Sequence, residues 1–212
     1  MSEPHVTALP GATVSRLPGY LRALHEAEES GVEVISSVEL ATRAGVHPAL
    51  LRRDLSQLGS YGTRGVGYDV DTLIREIGRV VGDRLTWPVV IVGVGHLGQA
   101  LAHHKVLRDR GFELVGLVDS SPDVIGSRIT GVEVRPPDEL AEAVTEGHAV
   151  IGVITTPPGE AQGVADALVA AGIRRILNFA AQPLEVPASV TVRAVDLTGE
   201  MQVLVYHEIH ER

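Results

Sequence analysis

Between residues 87 and 119 the chain reads as a strand, a glycine-rich turn, a helix and a second strand, and this order restricts the fold more than anything else in the sequence. Val89-Val90-Ile91-Val92 is an unbroken β-branched run, the pattern of a parallel strand covered on both faces. Gly93, Gly95 and Gly98 follow in the spacing Gly-x-Gly-x-x-Gly. In such a unit the first glycine makes the tight turn, the second removes a side chain that would block a pyrophosphate, and the third lets the helix pack closely on its strand. The free N–H groups of that helix, at His96 and Leu97, then face the phosphates. A second apolar strand, residues 114 to 118, delivers Asp119, 21 positions after Gly98. A carboxylate there accepts hydrogen bonds from a ribose hydroxyl and repels the extra phosphate of NADP, and Ser120 and Ser121 bring no compensating arginine. The expectation is a dinucleotide site that favours NAD. A domain whose glycines only make a turn, or one that takes another nucleotide such as coenzyme A, stays open at this point.

Beyond Asp119 the alternation continues as a doubly wound sheet requires. Strands are expected at residues 131–134, 150–154, 175–179 and 190–195, with helices at 137–146, capped by Asp138, and at 162–171. The second of these strands, residues 150–154, runs into Thr155-Thr156-Pro157 at the carboxyl edge, where the ligand crevice of such sheets lies. Thr155, Thr156, Pro157, Asn178 and Ala180 are therefore expected near the nicotinamide end. A last helix, residues 199–212, carries Met201, Leu204, Val205 and Ile209, more apolar surface than one sheet edge needs, and is read as crossing to a second subunit, with packing on its own domain the alternative.

With no cysteine, disulfides, zinc-thiolate sites and thiol catalysis are excluded. No apolar run approaches the roughly 20 residues that span a bilayer, and the first twenty residues lack a basic start with an apolar core, so a soluble cytoplasmic protein is expected. The formal charge of −9 conceals an asymmetry. Residues 1–86 hold nine arginines against eleven acidic residues, whereas the remainder holds nine basic residues against sixteen acidic ones. Residues 43–64 carry Arg43, Arg52, Arg53 and Arg64 against Asp54 alone, a basic patch inside an acidic protein.

That patch has an architecture. After an arm at residues 1–14, helices are expected at 15–29, 38–44 and 49–58, with Gly45-Val46-His47-Pro48 as the turn between the last two. Helix, tight glycine turn and basic helix is the helix-turn-helix order. Leu51, Leu55 and Leu58 follow a buried stripe, leaving Ala49, Arg52, Arg53 and Gln57 to face outward, where arginine suits a bidentate contact with guanine. Four glycines within residues 59–68, with Arg64 at the middle, read as a wing whose arginine reaches the adjacent minor groove. A fourth helix at 71–81 completes residues 15–86, and residues 87–198 form the nucleotide domain.

The segments Arg52-Arg-Asp-Leu-Ser56, Gly62-Thr-Arg-Gly-Val-Gly-Tyr68, Gly93-Val-Gly-His-Leu-Gly-Gln-Ala-Leu-Ala102, Ile176-Leu-Asn-Phe-Ala180 and Val195-Asp196-Leu197 closely resemble the Rex family of redox-sensing repressors, nearly collinearly from residue 15 to 206. The resemblance implies a homodimer in which each subunit has a winged-helix domain and a Rossmann domain, the last helix being exchanged between partners. It implies a repressor of double-stranded DNA carrying an AT-rich inverted repeat, released when NADH binds, so that NADH/NAD+ balance controls transcription. It places Arg53 and Arg64 on DNA and makes Arg22 and Asp196 a charged pair coupling the two domains. One position departs: where the family has a tyrosine near the nicotinamide, this chain has His104, read as supplying a similar donor and making the switch sensitive to pH.

Two other readings compete. An NAD-dependent dehydrogenase needs an acid-base group over the nicotinamide, and residues 155–158 and 178–183 contain no His, Lys or Tyr. A coenzyme A binding module would leave the basic helix and wing without a purpose.

Overall fold

In the computed structural model, which describes residues 9–210 except Ser60 and Arg64, the chain divides into two units, Met1–Leu85 and Thr86–Arg212. The first is built from α1 (Gly11–Glu29), β1 (Val34–Ile35), α2 (Ser37–Arg43), α3 (Pro48–Leu58), β2 (Gly62–Thr63), β3 (Gly67–Asp69) and α4 (Val70–Val81). Leu17, Leu21 and Leu24 of α1 pack with Leu40, Leu51, Leu55, Leu73 and Ile77 into one apolar core, the stripe each helix offers at its 3.6-residue period. The local chemistry fixes the helix starts. Ser36 Oγ accepts the Glu39 N–H, Asp69 Oδ1 accepts the Thr72 N–H, and Pro48 occupies the first turn of α3, where its missing N–H costs nothing.

Three details correct the sequence reading of this unit. Residues 11–14, expected in the arm, are helical: the Pro10 carbonyl accepts the N–H groups of Thr13 and Val14, and Thr13 is buried against α3. Pro18 therefore sits in the second turn of α1, where it forgoes a bond to the Val14 carbonyl. The strand β1 was not legible in the sequence, because two residues carry no periodicity. It joins a three-stranded antiparallel sheet in the order β1-β3-β2, so the wing hairpin is held to the helical core by its third strand. Gly67 makes that sheet possible. Its φ is +122°, and a Cβ would stand 2.6 Å from the Ile35 carbonyl oxygen.

The second unit contains β4 (Trp87–Val92), α5 (His96–Ala102), α6 (Lys105–Asp109), β5 (Phe112–Val118), β6 (Arg128–Ile129), β7 (Val132–Arg135), α7 (Leu140–Glu146), β8 (Ile151–Ile154), α8 (Ala161–Ala170), β9 (Arg175–Asn178), β10 (Thr191–Ala194) and α9 (Leu197–His210). Its sheet runs β10-β9-β8-β4-β5-β7-β6, all parallel except the edge strand β6. Numbered within the domain, the six parallel strands stand in the order 3-2-1-4-5-6, with the topological switch between β4 and β8. Strand alternation divides the core: Val90 and Val92 face α7 and α8, whereas Val89 and Ile91 face the α5 side. Asp138 does not cap α7; a short 3-10 turn, Pro137–Glu139, precedes the helix, and no side chain accepts its first N–H groups. Helix α9 starts two residues earlier than expected and buries none of its side chains.

Candidate cofactor cleft and nucleic-acid interface

The glycine turn after β4 is built as its spacing requires. Gly93 has a φ of +96°, and a Cβ on it would lie 2.7 Å from the backbone of Thr155 and Thr156. At Gly98 a Cβ would stand 2.0 Å from the Gly93 carbonyl oxygen, so α5 can approach its own strand only without one. Gly95 is different: nothing lies within 4 Å of where its Cβ would be. The open space above Gly95 is where a phosphate group can come close to the backbone.

Gly93, Gly95, Asp119, Thr155, Thr156 and Pro157 line a single cleft of about 770 Å³ at the carboxyl edge of the sheet. Asp119, at the end of β5, accepts the backbone N–H of Val94 on one oxygen and that of Ser121 on the other. A carboxylate has about four acceptor directions, so roughly two remain for a vicinal diol. Thr155 is spent on the turn, its hydroxyl donating to the Gly93 carbonyl. Thr156 is not: its hydroxyl is buried and without a partner among the described residues. Burying an unpartnered hydroxyl costs on the order of 1–3 kcal/mol, and a polar ligand seated in the cleft relieves that cost. Among the described residues no basic side chain lines the cleft, and Asp119 and Glu160 make it acidic. Phosphate oxygens are then left to the backbone N–H groups at the start of α5, where His96 and Leu97 lie exposed.

The structure separates the remaining candidates from this group. Asn178 is fully buried, its Nδ2 donating to the Gln182 carbonyl and its Oδ1 accepting the Ala180 N–H, so it closes the turn after β9. Neither it nor the buried Ala180 lines the cleft, because a side chain that satisfies its own loop does not reach outward. His104 is not in the cleft either. It stands just before α6 without capping it and lines a second concavity of about 580 Å³ with Leu101, Phe179, Ile91 and Val153, on the opposite face of the sheet. The cause is the length of α5, which carries the chain about 10 Å away from the glycine turn in its seven residues. Sequence reasoning missed Pro137 and Leu140 after β7, and Gly163, Val164 and Ala167 of α8, all of which line the cleft. Gly163 and Ala167, small residues four apart, were the available signal, since they place a bare helix face beside the ligand.

In the first unit, Ala49, Arg52, Arg53 and Gln57 form the exposed face of α3. Arg52 donates from Nη1 to Ser37 Oγ at 3.0 Å, tying α3 to the start of α2. The Arg53 carbonyl accepts the Ser56 hydroxyl, while its guanidinium has no hydrogen-bond or ion-pair partner among the described residues. Arg64, expected at the wing tip, lies outside the described residues. Arg22 is exposed on α1, and Asp196 uses its Oδ1 to accept the Gly199 N–H at the start of α9. No described helix is long and apolar enough to cross a membrane.

Comparison with known proteins bears on both units. The family model "Putative DNA-binding protein N-terminus" matches residues 8–56, and the model "CoA binding domain" matches residues 85–182. The redox-sensing transcriptional repressor Rex of Streptomyces griseus is 52% identical over 200 residues, covering 94% of this chain and 79% of that protein. Rex of Carboxydothermus hydrogenoformans is 44% identical over 199 residues, covering 94% of this chain and 96% of that protein. Among solved structures, RSP in complex with β-NAD+ and operator DNA is similar at a TM-score of 0.89 and 35% identity, covering 97% of this chain and 94% of that one. RSP in complex with β-NADH is similar at 0.87 and 33% identity, covering 97% and 96%.

Proposed function

The chain belongs to the Rex family of redox-sensing transcriptional repressors, and from that premise we propose that it represses transcription by binding operator DNA and releases the operator when NADH occupies its cleft. The observation that carries the reading is that one chain joins a glycine-turn cleft, open over Gly95 and closed by Asp119, to a unit whose α3 exposes Arg52, Arg53 and Gln57. The cleft suits an adenine dinucleotide: Asp119 has acceptor directions for a ribose diol, Thr156 has an unpartnered buried hydroxyl, and α5 offers free N–H groups. Its acidity disfavours the additional phosphate of NADP.

The nicotinamide ring supplies the signal, being uncharged in NADH and positively charged in NAD+. A tenfold preference for NADH is only about 1.4 kcal/mol, within reach of an apolar surround that penalises the charged ring. The switch itself is linkage between two states of a homodimer. In one state the two α3 helices are spaced for successive major grooves of an AT-rich inverted repeat, about 34–36 Å apart; in the other they are not. Helix α9 supports the dimer, since Met201, Leu204, Tyr206 and Ile209 are each more than half exposed in the single chain and gain cover from a second subunit. Arg22 and Asp196 are the pair assigned to couple the units, and Arg64 is assigned with Arg53 to DNA, both from the family resemblance. His104 takes the place of the family tyrosine in the sequence, although it lies outside the cleft.

Calorimetric titration tests the cleft directly. The parent protein should bind NADH more tightly than NAD+ and much more tightly than NADPH. Asp119→Ala should weaken NADH at least tenfold and narrow its advantage over NADPH; an unchanged NADH affinity would remove Asp119 from the site.

A further inference from the structure

Asp54 of α3, between Arg53 and Leu55 and only 1% exposed, accepts four side-chain hydrogen bonds from α1. Arg16 of α1 grips it with two parallel bonds, Nε to Oδ2 at 2.6 Å and Nη2 to Oδ1 at 2.8 Å. The Tyr20 hydroxyl donates to Oδ2 at 2.7 Å. Thr13 Oγ1 stands 3.1 Å from Asp54 Oδ1 and 3.0 Å from Gln57 Oε1. Both oxygens accept, so the single Thr13 hydroxyl proton is shared between the carboxylate and the Gln57 side chain. Three residues on one face of α1 thus converge on one carboxylate, and the chain of bonds continues to a side chain on the exposed face of α3.

Such a network is a poor device for stability alone, since a buried ion pair often adds nothing over apolar residues of the same volume. It is a good device for orientation. Leu51 and Leu55 hold α3 against the core by contacts that carry little directional preference, whereas a bidentate arginine pair is satisfied in one geometry. Along α3, Arg53 lies about 100° and Gln57 about 60° to the same side of Asp54, so the angle at which Asp54 is locked sets where both point.

We infer that Asp54, held by Arg16, Tyr20 and Thr13, is a positioning residue that fixes the rotation of α3 and thereby the protein's preference for operator over other DNA. The inference rests on the reading of α3 as the DNA-contacting helix.

The test measures fluorescence anisotropy of the full chain on a labelled AT-rich inverted-repeat duplex and on a scrambled duplex of the same composition. It compares the parent with Arg16→Gln, Asp54→Asn and Tyr20→Phe, the last keeping the ring in the core should Asp54→Asn not fold. Arg16→Gln and Asp54→Asn are expected to lose about tenfold on the inverted repeat and less than twofold on the scramble, with NADH affinity unchanged. Tyr20→Phe should lose less, in the same sense. The double variant Arg16→Gln/Asp54→Asn should be no worse than either single one, because the same bonds are already broken. Arg16→Lys, which can keep one of the two bonds, should fall between parent and Arg16→Gln. If the folded variants lose equally on both duplexes, Arg16 is a plain phosphate contact or the unit is merely weakened, and the inference is overturned. It is overturned equally if the preference for the inverted repeat survives in all of them. A parent that binds neither duplex overturns the DNA reading itself.

Discussion

At the scale of single residues the glycines of the turn give a paired prediction. Gly95→Ala has room for its methyl group and ordinary backbone angles, so the unfolding midpoint should stay within a degree or two while NAD(H) binding is lost, the methyl standing where the pyrophosphate must come. Gly98→Ala drives its Cβ into the Gly93 carbonyl and should both abolish binding and destabilise by about 1–3 kcal/mol. Differential scanning fluorimetry with a parallel titration separates the two; equal destabilisation would contradict the geometry. Asp54 gives a prediction in pH. Arg16 first, then Tyr20 and Thr13, hold its carboxyl below the ordinary value of 3.8, and burial pushes the Tyr20 phenol up to about 12. A depressed carboxyl adds stability that is present above its unfolded value and lost as pH falls through the folded one. A raised phenol adds stability that is present below about 10 and lost as pH rises toward 12. Melting temperatures of the parent should therefore drop below about pH 4 more steeply than those of Asp54→Asn, and parallel acid limbs would refute the assignment. Asp119 and the three glycines were readable from spacing alone, because each answers to a local constraint. Asn178 misled for the opposite reason: the sequence places it at the carboxyl edge, but only the folded loop shows that its amide is already used.

Among elements, long periodic segments were legible and short ones were not. The strands of the parallel sheet and the helices α3, α4 and α8 show as apolar runs or stripes, whereas β1, β6 and α6, of two to five residues, exist through their neighbours. The early start of α1 belongs to the same class, since Thr13 is helical because it meets Asp54 and Gln57, 41 and 44 positions away. The wing depends on an element contact of this kind. Gly67→Ala should push β3 off β1, weaken DNA binding by tenfold or more and leave NADH titration unchanged; wild-type affinity for DNA would show that the strand pairing is dispensable. Helix α9 makes the opposite case, apolar without burying anything in the single chain. Each large apolar side chain covered is worth about 1.5–3 kcal/mol, so Leu204→Glu should turn a dimer into a monomer by light scattering, and a persistent dimer would move the interface elsewhere.

For the whole molecule, the central claim is that one ligand controls the binding of another. Nothing in either unit alone expresses it: the second holds a cleft beside a glycine turn, and the first exposes Arg52 and Arg53 on one face of α3. Their combination in one chain makes a sensor, provided that the protein's DNA-competent state and its NADH-bound state differ. A ligand with equal affinity for both states would shift nothing, however tightly it bound. The decisive measurement is anisotropy of a labelled AT-rich inverted-repeat duplex bound to the protein at fixed salt, titrated in parallel with NADH and NAD+. The account predicts that NADH releases the duplex at a dose where NAD+ leaves it bound. Release by both at equal dose, or by neither, would contradict it.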